Sequence, residues 1–251
     1  GLGTIAIGTI YFLHTNDQNV VPTVNSVDSV HKKTKQRIKQ TYGYVLGGLT
    51  ITGVSAIGMF KAGLPKVIMR ANPWVYLGVS LATSLPLMIG STAIDYEQNP
   101  IMKHVTWAGF NVSMAGGLSV FGILGGPLIA QAMLATGCVV GGLSLVASKA
   151  NPDSLQQFEA PLGIGLGVLV GAGLGQMIFP MPLLHNITLY GGLAVFSGLT
   201  MTDTQKLIRH AKHSDKFDPI NESMLIYLDT INMFIRIAQI LGELDSKKKK
   251  K

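Results

Sequence analysis

Two stretches near the end of the chain decide how the rest is read: Phe196-Ser197-Gly198-Leu199-Thr200-Met201-Thr202-Asp203-Thr204-Gln205 and Met224-Leu225-Ile226-Tyr227-Leu228-Asp229-Thr230-Ile231-Asn232. Of the 13 acidic residues, only Asp203 and Asp229 fall within long apolar runs; the others occupy polar loops, linkers and tails. An ionisable group at membrane depth costs at least ~2.5 kcal/mol to insert, so it is read first as functional. The remaining chain then reads as a scaffold for two buried carboxylates.

Composition sets the surroundings. The 251 residues are 47% apolar and only 13% charged, with 30 glycines and a mean hydropathy of +0.38. Soluble domains carry about 25% charged residues. Low charge with repeated apolar runs of about 20 residues predicts an all-α, polytopic helical membrane protein. Cys138 is the only cysteine, so no internal disulfide forms. The net charge of +7 sits in flanks and tails. Those flanks suit anionic lipids of the bilayer. Nucleic acid is not an expected partner, because the basic residues do not alternate with aromatics. The sequence names no protein partner.

Residues 2–13 are apolar but too short to span at 1.5 Å per residue, and read as a partial N-terminal transmembrane helix. The chain begins Gly1-Leu2-Gly3 without methionine, so an upstream stretch such as a targeting sequence is expected to have been removed. Residues 14–40 read as a polar linker ending in the basic cluster Lys32, Lys33, Lys35, Arg37 and Lys39. A membrane domain follows over 41–243, with apolar segments at 41–60, 73–94, 104–124, 128–147, 161–179, 184–210 and 219–243. Residues 61–71 read as a short basic loop and 244–251 as a lysine-rich tail. Trp74 and Trp107 lie near segment ends, where interfacial aromatics are expected. The loops before 41–60 and before the final segment share one side and carry most of the Lys and Arg. The positive-inside rule places that side in the cytoplasm or its equivalent, such as a mitochondrial matrix.

Gly163, Gly167, Gly171 and Gly175 recur every four residues, a spacing that lets another helix approach closely. A dinucleotide-binding turn would need a preceding strand and a following acid, and neither is present. The last segment is apolar except at Asp229, Asn232, Arg236 and Gln239, which form one helical stripe. Such a stripe must face the bundle interior or a watery cavity, and a re-entrant or broken helix would also accommodate it. Two carboxylates held close cannot both be ionised cheaply, so Asp203 and Asp229 would share a proton or a hard cation such as calcium. Structural alternatives stand beside this: Asp203 pairing with Lys206 or Arg209, and Asp229 neutralised by Arg236 or bonded to Asn232. Asn111, Gln131 and Gln176 read as interhelical hydrogen-bonding residues. His104, His185, His210 and His213 have no zinc or copper spacing, and no cofactor is expected.

Asp203-Thr204-Gln205, Asp218-Pro219-Ile220 and Tyr227-Leu228-Asp229-Thr230-Ile231-Asn232 resemble the C-terminal signature of the transmembrane BAX-inhibitor-motif family. Arg37-Ile38-Lys39-Gln40-Thr41-Tyr42 is similar to that family's entry to its first core helix, and the likeness covers about residues 37–243. The resemblance implies a seven-helix core with a central final helix. It also implies a pH-sensitive calcium leak or calcium/proton exchange, gated by Asp203 and Asp229. Residues 2–13, 121–129 and 160–165 are most similar to the family's mitochondrial member. That implies the mitochondrial inner membrane, with effects on cristae organisation and apoptosis. Some bacterial members carry an arginine in the second core helix, whereas 73–94 has neither arginine nor lysine. Gating is then expected either to use Arg236, with Asn232 and Lys206 as further candidate partners, or to be less tightly latched.

Two other function classes compete. A membrane scaffold shaping cristae without transport would depend on the glycine face and the lysine tail. An intramembrane aspartyl protease also needs two aspartates, but Leu199-Thr200-Met201-Thr202 precedes Asp203 in place of a GxGD motif. An enzyme is therefore not expected.

Overall fold

From residue 24 to 42 the sequence holds Lys, Arg and Gln without proline or glycine before Gly43, so nothing interrupts a helix. In the computed structural model, which describes residues 24–151 and 154–249, helix α1 accordingly runs unbroken over Val24–Lys61. The linker expected at 14–40 is helical from residue 24 onward, and residues 2–13 lie outside the described part. The expected basic loop at 61–71 contains a short helix, α2 (Leu64–Arg70), entered through Gly63 at φ +85°.

Helix α3 (Pro73–Ala93) starts with Asn72 accepting from the Trp74 backbone N–H and with proline in its first turn. A turn follows in which the N–H groups of Gln98 and Glu97 hold the Asp95 carboxyl below its ordinary range. Helix α4 (Pro100–Leu118) ends in a 3₁₀ turn over Ser119–Leu124. Gly125, at φ +86°, then reverses the chain into α5 (Gly126–Lys149). Helix α6 (Glu159–Ile178) precedes the short α7 (Pro182–Asn186). A π turn, Ile187–Gly191, leads from α7 into α8 (Gly192–His213). Helix α9 (Pro219–Lys249) is continuous. The final segment is therefore neither broken nor re-entrant in its backbone, and the tail expected at 244–251 prolongs the same helix to Lys249.

Among the described residues, six helices are long and apolar enough to cross a membrane: α1 (from Ser29), α3, α4, α5, α6 and α9. Helix α8 is equally long but carries Asp203, Lys206 and Arg209, and it packs against α9, α5, α1 and α6. The protein is thus a multi-pass, all-α membrane protein. Burial identifies its axis. Helix α9 buries Ile220, Met224, Ile226, Tyr227, Asp229 and Met233 among others, whereas α3 buries only Ser91 and α6 only Leu169 and Ala172. Val75, Val79 and Ile89 of α3, with Ile164 and Val168 of α6, face outward. Apolar outside and polar inside is the distribution that lipid requires.

Trp107, expected at the interface, is buried and stands edge-on to Tyr44 at 5.4 Å between centroids; Trp74 is exposed. The Asn111 side chain, expected to bridge helices, donates to the Trp107 carbonyl within α4; only its backbone oxygen bonds to another helix, accepting from Thr52. Three positions of the α6 glycine face have no helix against them: a Cβ at Gly163, Gly167 or Gly171 would meet nothing within 4 Å, whereas one at Gly175 would touch Leu184 of α7 at 3.4 Å. The close α6–α8 approach uses Gly165, against Val195, and Gly198, against Leu162. Periodicity reports where a helix can approach, not where one does.

Two cations pin the α8–α9 connection. Arg37 donates to the Ala211 and Ser214 carbonyls at 3.1 and 2.8 Å and lies 4.9 Å from the Phe217 ring. It thereby caps the C-terminus of α8. Lys103, fully buried, pairs with Asp218 and donates to the Ile94 carbonyl and Asn221 Oδ1 at 2.8 and 2.9 Å. Asp218 in turn accepts from the Ile220 and Asn221 N–H groups that open α9. Removing one member of such a pair leaves an uncompensated charge. Lys103→Met is expected to destabilise the protein by about 3 kcal/mol, read as a lower unfolding temperature in detergent. Adding Asp218→Asn should recover part of the loss.

Candidate functional site

Thr200 and Asp203 lie on the α8 face that meets α9, and Asp229 lies on the α9 face that meets α8, while Thr204 bonds Ser144 of α5. Both carboxylates are enclosed, Asp203 at 7% and Asp229 at 4% exposure. They line one cavity of about 500 Å³ between α6, α8 and α9, together with Lys206, Asn232 and Arg236. The apolar part of its wall includes Leu166, Val170 and Leu225, whose side chains are exposed on the outer surface. The structure therefore brings together both predicted aspartates and all three expected partners.

Their pairing is unequal. Asp203 Oδ1 accepts from Lys206 Nζ at 3.1 Å, and the same ammonium lies 3.6 Å from Glu159 Oε2. Arg209 lies 3.8 Å from Glu159. Asp229 Oδ2 is buried without a hydrogen-bond partner among the described residues. A carboxylate oxygen in that position is costly unless a proton, water or cation completes it. Among the described residues no three His, Cys, Asp or Glu side chains converge as a resident metal site would need.

Arg236 pairs with neither aspartate. Its Nη1 donates to the Asn232 carbonyl and Oδ1 at 2.8 and 3.2 Å, its Nε to the Thr188 carbonyl at 3.2 Å, and its guanidinium lies 4.5 Å from the Phe196 ring. Asn232 likewise donates to the Leu228 carbonyl. Neither of the expected neutralising contacts to Asp229 is made. Two local features accommodate the guanidinium. The Thr188 carbonyl belongs to the π turn, a helix irregularity that frees backbone acceptors. At Gly192 a Cβ would stand 1.9 Å from Arg236 Nε. Gln239, the last member of the predicted stripe, is exposed.

Sequence reasoning passed over two histidine–carboxylate contacts towards the two ends of α9, one from α8 and one from α7. His210 Nδ1 lies 2.8 Å from Glu222, and His185 Nε2 lies 2.7 Å from Glu243. The available signal was spacing: Glu222 is seven residues before Asp229, and Glu243 is seven after Arg236.

The family model described as inhibitor of apoptosis-promoting Bax1 matches residues 34–246. Growth hormone-inducible transmembrane protein of Rattus norvegicus is 31% identical, covering 99% of this chain and 75% of its own length. Bax inhibitor 1 of Homo sapiens is 29% identical over 87% of this chain and 91% of its own. An uncharacterised protein of Chlamydia muridarum is 25% identical over 83% and 92% respectively. No solved structure matches the chain.

Gly192→Ala must displace Arg236 and is expected to destabilise the protein by about 1–3 kcal/mol, the usual range for overpacking. Combining it with Arg236→Met should cost less than the sum of the single changes. A double-mutant cycle of thermal unfolding measures that coupling.

Proposed function

The chain belongs to the Bax inhibitor family of multi-pass membrane proteins, and from that premise we propose that it is a pH-sensitive calcium pathway, a leak channel or calcium/proton exchanger, gated by Asp203 and Asp229. The observation that carries this reading is the shared cavity: two enclosed carboxylates border it, one tied to Lys206 and the other with an oxygen lacking a partner among the described residues. Oxygen ligands of this kind attract calcium, and the same oxygens take protons at lower pH, so the two compete. Lys206 is the movable member. It already reaches Glu159 as well as Asp203, so it can leave the aspartate without losing every anionic partner. Calcium and protons are cargo here, with no cofactor and no enzymatic step.

The mitochondrial inner membrane is the location we propose, on the resemblance of 121–129 and 160–165 to the family's mitochondrial member; effects on cristae organisation and apoptosis belong to the same proposal. A second reading, a scaffold that shapes cristae without transport, is favoured by one observation. The glycine face at Gly163, Gly167 and Gly171 is open to another helix.

Calcium flux into liposomes holding the purified protein separates the two. The wild type should carry calcium in a pH-dependent way, and Asp203→Asn or Asp229→Asn should abolish the flux or its pH response. Unchanged flux in both variants would overturn the aspartate gate. Calcium-tight liposomes at both pH values, with folded protein, would favour the scaffold.

A further inference from the structure

The polar stripe of α9 does not stop at the aspartate cavity. Glu222, Asp229, Asn232, Arg236 and Glu243 recur at helical spacing along it. From Glu222 to Glu243 is 21 residues, a rise of about 31 Å. That equals the hydrocarbon thickness of a bilayer, about 30 Å. Near the Glu222 end, Lys206, Glu159 and His210 surround the approach to Asp203. Beyond Arg236, towards the other end, a second set of polar side chains continues the line.

That second set is a connected chain of hydrogen bonds drawn from four elements. The Thr188 carbonyl accepts from Arg236, and the Thr188 hydroxyl lies 3.5 Å from Gln176 Oε1. Gln176 Nε2 meets His185 Nδ1 at 3.2 Å, and His185 Nε2 meets Glu243 at 2.7 Å. Gln176 belongs to α6, His185 to α7, Thr188 to the π turn and Glu243 to α9. The side chains of His185 and Glu243 are 38% and 41% exposed. A polar cluster of this kind has no packing reason to stand between apolar outer faces unless water reaches it.

We propose that Gln176, His185 and Glu243 form the second mouth of the pathway, and that Arg236 is the plug between that mouth and the aspartate cavity. Glu243 supplies a fixed negative charge that concentrates cations at the entrance. Arg236, held by the Thr188 carbonyl and seated in the space left by Gly192, opposes their passage to Asp229. The proposal deepens the transport reading and rests on it, but its test uses no calcium.

The chain with Cys138→Ser and a probe cysteine in the cavity wall, Asn232→Cys or Leu228→Cys, is placed in vesicles. Those vesicles whose C-terminus faces outward are captured by a C-terminal tag. Membrane-impermeant thiosulfonates, one cationic and one anionic, are then added outside. Arg236→Gln should speed modification by the cationic reagent roughly tenfold, while Arg236→Lys should leave it slow. In the Arg236→Gln background, Glu243→Gln should lower the cationic-to-anionic rate ratio roughly threefold or more. A merely structural Glu243 would not change that ratio. A ratio indifferent to Glu243→Gln with both probes, or no modification from this side even in Arg236→Gln, would overturn the mouth. A calcium-tight protein that still shows the Glu243-dependent ratio would refute transport while sustaining the mouth.

Discussion

Helix α9 carries a carboxylate, an amide and a guanidinium on one stripe, and no lipid-facing helix can hold such a stripe. Enclosing it is the constraint from which the bundle follows. Helices α1, α5 and α8 pack directly along α9, and α4 reaches it through Trp107 and Phe110, which join Ile220, Met224, Tyr227 and Ile231 in one apolar cluster. Helices α3 and α6 need little burial of their own and present apolar surface outward. The polar requirement also fixes the ends. Arg37 takes the free carbonyls of α8 and Lys103 holds Asp218, so the connection from α8 to α9 is anchored at the same end of the bundle as Asp203 and Lys206.

Asp203 and Asp229 were legible because charge is conspicuous in apolar sequence, and the stripe from Asp229 to Arg236 followed from helical spacing alone. Proline marked the starts of α3 and α9 at Pro73 and Pro219, but α4 begins at Pro100 ahead of the expected 104, and the segment expected over 184–210 divides into α7, the π turn and α8. What the sequence left open depended on neighbours. Gly163, Gly167 and Gly171 have packing spacing but open space beside them, while Gly165, Gly192 and Gly198 are the positions where a Cβ would collide. No spacing rule separates those sets, because the difference lies in the side chain opposite. Likewise, Lys32 to Lys39 read as a solvated linker, yet the same helix-forming residues continue α1 and place Arg37 on α8. The partner of Arg236 was misjudged for a related reason: a guanidinium can be satisfied by carbonyls, and the π turn that offers one leaves no mark in the sequence.

The cavity holds two carboxylates and two cations, and their arrangement matters more than their sum. Lys206 is bonded to Asp203, whereas Arg236 is bonded to carbonyls and an aromatic ring. An ammonium on a flexible stem exchanges partners readily; a planar guanidinium held at three points does not. Under the transport reading these become different devices. A divalent cation between the aspartates would meet Lys206 at close range, and like charges at that distance repel strongly in a poorly solvated cavity. Occupancy by calcium and the Lys206–Asp203 bond therefore exclude one another, and Glu159 receives the displaced ammonium. Arg236 has no comparable second anion within its described contacts, so it stays and sets a barrier on the far side. A proton reaching Asp229 removes negative charge from the site and weakens calcium binding without moving either cation. Under the proposed transport, one pair of aspartates between a mobile and a fixed positive charge would thus respond to calcium from one end and to acidity throughout.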